Sequence, residues 1–476
     1  MFSDKLFKET ITKDSIKETF EVYVAKKTDN LTGKTIIKVL EGVDGISVEQ
    51  FNKTLNHQAD FIYKRIQRGG YHFYPLKEVK IPKEPGLSVE EAIKKDKIRI
   101  LSVASIRDVI VQKLLYDYLN NIVEAEFSKL NHVSFAYRKG LNAQKAAQKV
   151  FSDINSGYIA ALDADLKGFF DTIPHQLLFE QVKKFFHHMP EVQKLIYRFI
   201  HVDKGWTVKR GIKTKVIRKK REKGIPQGGI LSGMLANIYL HQFDTWIMET
   251  LGNKYDLKYT RYADDFIILT KNADDILCIQ NECKEFLRSL ELILHPDPQK
   301  TKIIHIQHNR SIDFVGFKIS KGQIGIKEQN VDKFKSRILK ILNETDFSKS
   351  KALQLLKYKL SFKYYGNEVK QFQCRTCNKI DVTRNWMKFF LVITDVEQLR
   401  KIDYWVYKKI NYYYFEKTGE RLPKKTIKGM NFSSLEMLYY RYRKELKGNS
   451  DFCKCGHKEK DIYPTLNPYE DLFPTY

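Results

Sequence analysis

The chain has 476 residues, 42% of them hydrophobic, which allows a sizeable core and excludes wholesale disorder. Lys and Arg number 83 against 57 Asp and Glu, a formal charge of +26, and a surplus that large points to a polyanionic partner, with nucleic acid the commonest. No apolar run is long enough to span a bilayer and residues 1–13 lack the apolar centre of a secretory signal, so no membrane partner is expected and the protein is expected to be cytoplasmic.

In chain order, the first ~75 residues read as amphipathic helical segments with a turn at Gly42-Val43-Asp44-Gly45. Strand-like pieces, Val79-Lys80-Ile81-Pro82 and Ile98-Arg99-Ile100-Leu101, flank a polar, lysine-rich insertion over 83–97. Residues 105–127 have helical periodicity, with Ile106, Val109, Ile110, Leu114, Leu115 and Leu119 on one side. Residues 158–162 form a short apolar strand that runs into Asp163 and Asp165.

Residues 204–223 hold ten basic residues and one acid, Glu222. A solvated charge run is the bland reading; a tract that contacts phosphates is the alternative, and the better one if the tract lies next to an active-site cleft. Over 260–269, Asp264 and Asp265 sit between two strand-like runs, which places both acids at a hairpin turn on one sheet edge. Cys278 and Cys283 read as buried or semi-buried apolar positions.

Proline is absent between Pro298 and Pro423, which permits long helices. Some mix cations with aromatics, as in Tyr404-Trp405-Val406-Tyr407-Lys408-Lys409. They suit a helical bundle with a basic face, and equally a clamp on a duplex. Two close pairs, Cys374/Cys377 and Cys453/Cys455, with His457 nearby, match a four-coordinate structural Zn²⁺ only irregularly; free thiols are the alternative. His457 is the only histidine after His308, so an HNH endonuclease is not expected there.

Carboxylates from two separate strands suit two Mg²⁺ ions about 3.5–4 Å apart, the arrangement for in-line displacement at phosphorus. Asp163 lies on the same strand face as Asp165 and competes with it for the role.

Tyr262-Ala263-Asp264-Asp265 matches the Y-x-D-D box of reverse transcriptases, and Asp165-Leu166-Lys167-Gly168-Phe169-Phe170-Asp171 resembles their first catalytic motif. Between them, Gly224-Ile225-Pro226-Gln227-Gly228-Gly229 closely resembles the box of the bacterial group II intron type. Leu294-His295-Pro296, Lys300-Thr301-Lys302 and Phe314-Val315-Gly316-Phe317, the last like a primer-grip strand, extend the resemblance. It covers residues 35–320 or so well and the rest loosely.

The resemblance implies an α+β right-hand polymerase. Its expected divisions are an N-terminal segment with fingers over 1–157, a palm of small antiparallel sheet backed by helices over 158–322, the start of a helical thumb over 323–372, and a C-terminal extension over 373–476. It implies that Asp165, Asp264 and Asp265, with the backbone of Leu166, bind two Mg²⁺, and that Lys300 or Lys302 protonates pyrophosphate. Phe170 stands where a steric gate against the ribose 2′-hydroxyl is expected. Gln227 would lie against the incoming nucleotide, and Arg99 with Lys97 would meet its triphosphate, although a plain ion-pair role for Arg99 stays open.

The reaction implied is addition of dNTPs to a 3′-hydroxyl, or to a protein hydroxyl, on an RNA template to give a DNA product. Antiphage-defence reverse transcriptases of bacteria, which act with a dedicated non-coding RNA, are the nearer resemblance. A group II intron maturase and a catalytically idle RNA-binding scaffold are the alternatives. Departures from the group II pattern are Ser102-Val103-Ala104 in place of Gly-Ile-Pro, Gly233 in place of proline, and the long 83–97 insertion.

Overall fold

A computed structural model describes residues 2–25, 41–83, 87–130, 133–210, 213–306, 310–349, 351–365, 371–373, 380–382, 386–423 and 434–448. Two compact units account for them, the first built from residues 1–141 and 161–303, the second from 142–160 and 304–473. Cys374, Cys377, Cys453, Cys455 and His457 lie outside the described residues.

The first unit holds two sheets. In chain order its strands are β1 (Leu76–Pro82), β2 (Ile98–Val103), β3 (Ala160–Asp165), β4 (Lys204–Arg210), β5 (Lys213–Lys219), β6 (Leu257–Tyr262), β7 (Asp265–Thr270) and β8 (Lys302–His305), the last leading out of the unit. One sheet has the order β2-β1-β4-β5 and the other β6-β7-β3-β8. In the first, β1 and β2 are antiparallel, with Ile81 opposite Arg99, while β4 runs parallel to β1 from the Leu76–Lys204 pair.

The lysine-rich insertion between β1 and β2 contains a short helix, Val89–Lys94. Ser88 caps it in a reciprocal capping box with Glu91, which satisfies two amides that the first turn leaves free. The basic tract over 204–223 is a β-hairpin over most of its length: β4 and β5 pair antiparallel from Lys204–Lys219 to Arg210–Lys213. Its Thr, Val and Ile residues, alternating with cations, supply the strand preference that a bare charge count hides.

Two helices back the sheets. Ile106–Phe127 starts at Ser105, whose hydroxyl accepts the Asp108 N–H. It is more deeply buried than its apolar stripe implies, since Asp108, Gln112 and Asn120 are buried beside Ile106, Ile110, Leu115 and Leu119, while Val109 and Leu114 are half-buried. Ser232–Trp246 is buried over its first nine residues, from Ser232 through Leu240. On the Asp275–Ser289 helix, Ile276, Ile279, Cys283 and Leu287 form the inward stripe. Cys278 falls off that stripe and is exposed, contrary to the sequence expectation, while Cys283 is buried as expected.

The second unit has a three-stranded meander, β9 (Ile312–Phe314), β10 (Phe317–Ser320) and β11 (Gln323–Ile326), in the order β11-β10-β9. Phe314-Val315-Gly316-Phe317, expected as a strand, straddles the β9–β10 turn: Phe314 pairs with Phe317, and Val315 and Gly316 take positive φ. The proline-poor stretch forms the expected helices, including Glu328–Asn343 and Val396–Thr418. Gln398 ties the latter to β11 through both backbone groups of Ile326, at 2.7 and 2.8 Å. No described helix is long and apolar enough to cross a membrane.

Candidate active site

Two neighbouring strands of the β6-β7-β3-β8 sheet, β3 and β7, carry the acids. β3 is buried along most of its length and ends at Asp165, which is 7% exposed. The segment after the Asp275–Ser289 helix holds this end in place: the His295 N–H donates to the Asp165 carbonyl at 2.7 Å and the Lys167 N–H to Ile293 at 2.9 Å. Leu166 is buried and bridges to Leu294. Further along that segment, Lys300 Nζ donates to Asp165 Oδ2 at 2.6 Å. Lys302 lies 3.4 Å from Asp163 instead, so each lysine has its own acid.

The other two acids lie where the β6–β7 hairpin turns. Tyr262 pairs with Asp265, leaving Ala263 and Asp264 as the turn. Ala263 has φ +57°, a conformation unfavourable for a residue with a Cβ, and it needs support from its surroundings. Arg261 gives that support. Its guanidinium is 1% exposed, donates to the Ala263 carbonyl at 3.0 Å, and pairs with Asp244 at 2.5 and 2.7 Å and Asn237 at 2.9 Å. Asn237 in turn donates to the Ala136 carbonyl at 2.7 Å, and the backbone of residues 133–135 brackets Arg261 on the outer edge of β6.

The carboxylates crowd one another. Loss of hydration, then the charge of Asp165, raises the Asp264 pKa to about 6, while Lys300 and Arg99 pull it back. Asp265 is exposed at the start of β7, yet the protein packed around it and then the charges of Asp264, Asp165 and Asp163 push it above the usual carboxylate range. Burial works against the Lys300 ammonium, but the hydrogen bond and charge of Asp165, with Asp265 and Asp264, leave its pKa above the ordinary value.

The glycine box closes on the turn after β3. The Gly224 N–H donates to Ile173 and the Ile225 N–H to Phe170. Gly224 has φ +79°, and a Cβ there would lie 2.7 Å from the carbonyl oxygens of Phe170 and Asp171, so the approach requires glycine. Gln227 thereby reaches Asp171, its Nε2 donating at 3.1 Å, and its carbonyl accepts the Ser102 N–H of β2 at 2.8 Å. Phe170 is half-buried, edge-on to Phe169 at 5.5 Å and Tyr137 at 6.2 Å. Arg99 is exposed on β2 and near enough to Asp264 to act on it; Lys97 stands exposed just before that strand.

Sequence reasoning missed Arg261, Asp244 and Asn237. A signal was available: Asn237 and Asp244 are seven residues apart, on one face of a helix that also carries Ile238, Leu240 and Phe243. Arg221 was counted only as part of the basic tract. It is 4% exposed, with its Nη2 3.5 Å from Ser102 Oγ and with the charges of Glu78 and Asp171 nearby.

Acids on adjacent strands of a small sheet, beside a second sheet rich in cations, define a nucleic-acid polymerase of the right-hand type. Residues 81–319, half of the chain, match the family model for reverse transcriptase (RNA-dependent DNA polymerase). The chain belongs to that family and is an RNA-directed DNA polymerase, working on an RNA template to a DNA product.

Its relatives include protein YkfC of Escherichia coli, 26% identical over 324 residues, covering 61% of this chain and 78% of that one. The group II intron-encoded protein LtrA of Lactococcus lactis is 25% identical over 359 residues, covering 62% of this chain. The match spans about half of LtrA's length, 54%. Among solved structures, apo telomerase from Candida tropicalis is similar at a TM-score of 0.42 and 16% identity, over 83% of this chain and 66% of that one.

Proposed function

We propose that Asp165, Asp264 and Asp265 are the catalytic carboxylates of this polymerase and that they work with two Mg²⁺ ions. The observation that carries the proposal is the convergence of Asp165, at the end of β3, with the Asp264–Asp265 turn at the start of the neighbouring β7, close enough for the charge of Asp165 to raise the proton affinity of both. A divalent cation supplies the charge that such a group lacks, and the donor set of hard oxygens fits Mg²⁺. Among the described residues, no three His, Cys, Asp or Glu side chains already form a metal cage.

Bound Mg²⁺ would supply Lewis acidity toward the primer hydroxyl and positive charge beside the departing pyrophosphate. The residues do the rest. Asp165, Asp264 and the Leu166 carbonyl would hold the ions, with Asp265 assisting. Lys300, kept protonated beside Asp165, is placed to give a proton to pyrophosphate. Phe170 closes the space a ribose 2′-hydroxyl would need, Gln227 lies against the incoming nucleotide, and Arg99 with Lys97 receives its triphosphate.

We read the template as a dedicated non-coding RNA and the product as part of antiphage defence. Support comes from the departures at 102–104 and Gly233 from the intron-type pattern. The likeness to LtrA, named as group II intron-encoded, favours a second reading, a maturase that binds its own intron RNA.

One preparation tests both levels. Wild type and an Asp264→Ala/Asp265→Ala variant are purified with their co-purifying RNA, given Mg²⁺ and labelled dNTPs, and any product is sequenced. DNA made by the wild type alone supports the acids. A product copied from a short non-coding RNA supports defence, one copied from an intron supports the maturase, and equal synthesis by both proteins overturns the assignment.

A further inference from the structure

Gly224 opens the glycine box with no side chain to hold it and with φ +79°, so its hydrogen bonds set where the box begins. Its N–H donates to the Ile173 carbonyl at 2.8 Å, and the Ile225 N–H donates to Phe170 at 2.7 Å. A side chain supplies another bond: Nε2 of His175 lies 2.8 Å from the Gly224 carbonyl. A carbonyl oxygen only accepts, so Nε2 carries the proton and donates.

His175 is placed for this contact. It follows Pro174 in the first turn of the His175–Phe185 helix and is 6% exposed. His201 stands edge-on to its ring at 4.5 Å, and Tyr197, from the Pro190–Ile200 helix, packs on His201 at 4.0 Å. Burial lowers the His175 pKa, and His201, Arg221 and Lys220 add to that against the pull of the Gly224 carbonyl. The ring is therefore neutral at neutral pH and its one proton sits on the nitrogen that the carbonyl needs.

The bond reaches further than Gly224. The Gly224 carbonyl and the Ile225 N–H belong to one planar peptide, so turning one turns the other. Without the imidazole, a buried carbonyl loses its donor, and rotation toward water draws the Ile225 N–H away from Phe170. The rest of the box is anchored elsewhere: Ser232 Oγ donates to the Pro226 carbonyl at 2.6 Å, and the Ile230 N–H to Gln112 Oε1 at 2.9 Å. What loosens is the spacing between the Phe170 turn and Gln227.

We propose that His175 is a positioning residue for nucleotide selection, holding Gly224 so that Phe170 and Gln227 keep the spacing of a deoxyribose. The inference rests on the reading of Phe170 as the gate. The acids have their own supports, His295 behind Asp165 and Arg261 behind the hairpin turn, so the loss falls on nucleotide fit and spares the chemical step.

The test is single-nucleotide incorporation by the full-length protein on an RNA template–DNA primer hybrid with Mg²⁺, with dNTP and rNTP compared. Met and Gln match in length, and only Gln has an amide that can donate in place of Nε2. In His175→Met the site relaxes, and a dNTP must restore its spacing on binding. Its KM rises by roughly 5- to 150-fold, the range for a buried acceptor left unpaired. The rNTP KM stays put, kcat for dNTP stays within a few-fold, and the dNTP preference falls by the same factor.

His175→Gln keeps most of the preference, and both variants bind the hybrid as wild type does when no nucleotide is present. Should His175→Met not fold, His175→Leu is read in its place. An unchanged preference in the folded variant overturns the proposal. So does an equal loss in His175→Gln, which would make the role one of packing. Phe170→Ala separates the two readings: preference kept there removes the gate and both readings fall, whereas preference lost there but kept in His175→Met overturns this inference alone.

Discussion

A methyl group on residue 233 would lie 2.4 Å from Cγ of Tyr137, so that glycine and that ring share one space. This is the physical reason for the departure from proline at that position. Tyr137 in turn stands edge-on to Phe170, the proposed gate. Gly233→Ala is therefore expected to displace Tyr137, cost about 1–3 kcal/mol of stability through overpacking, and loosen the gate. Single-nucleotide incorporation with dNTPs and rNTPs would show a lower dNTP preference. Unchanged discrimination in a folded variant would remove Tyr137 from the account. The two lysines that sequence could not separate are separated by their partners, Asp165 and Asp163. Lys300→Met should slow single-turnover incorporation by roughly 10²–10⁴-fold, the range for a general acid, whereas Lys302→Met should leave it within a few-fold. Equal effects would deny Lys300 the special role.

At the scale of the element, two buried carboxylates hold segments together in opposite ways. Asp108, in the first turn of the Ile106–Phe127 helix, accepts from Tyr71 Oη at 2.8 Å and the Tyr74 N–H at 2.9 Å. Burial outweighs these bonds and raises its pKa to about 7. The folded protein thus holds this proton more tightly than the unfolded chain does. The resulting stability is present below about pH 4 and is lost as pH rises toward 7, by at most ~4 kcal/mol. Asp108→Asn, whose amide can still accept from Tyr74 and donate to Tyr71, should unfold at a temperature that falls less between pH 5 and 8 than the wild type's does. Asp244 is instead paired with the buried guanidinium of Arg261. Asp244→Ala leaves a buried guanidinium uncompensated and is expected to cost about 3–5 kcal/mol in denaturant unfolding.

These elements also mark how far the sequence could be read. The Asp-Asp hairpin, the helix that begins at Ser105 and the strands at 79–82 and 98–101 were legible because period and turn chemistry are local. The Arg261 network was not, since its partners lie 17 and 24 residues away on another element. The basic hairpin was half legible: its charge pointed to phosphate, but only the β4–β5 register shows which cations stand opposite one another.

For the whole molecule, the charge of +26 makes binding to nucleic acid an ionic-strength phenomenon before it is a specific one. Affinity for an RNA–DNA hybrid should fall linearly on a double-logarithmic plot against salt. A footprint of about 6–10 phosphates would lose on the order of 10³–10⁵ in affinity between roughly 50 and 200 mM. A flat plot would mean that the surplus lies away from the binding surface. The position of β5 gives that charge a further task. Among the described residues β5 is the last strand of its sheet, and an edge strand is a template for pairing by another chain. Lys215, Arg218 and Lys219 stand exposed along it, and like charges brought edge to edge repel. Neutralising them with Thr or Gln is expected to unmask a sticky strand border, visible as light scattering that climbs with protein concentration. Glu at the same positions would keep the solution monodisperse, because what guards the border is repulsion, of either sign.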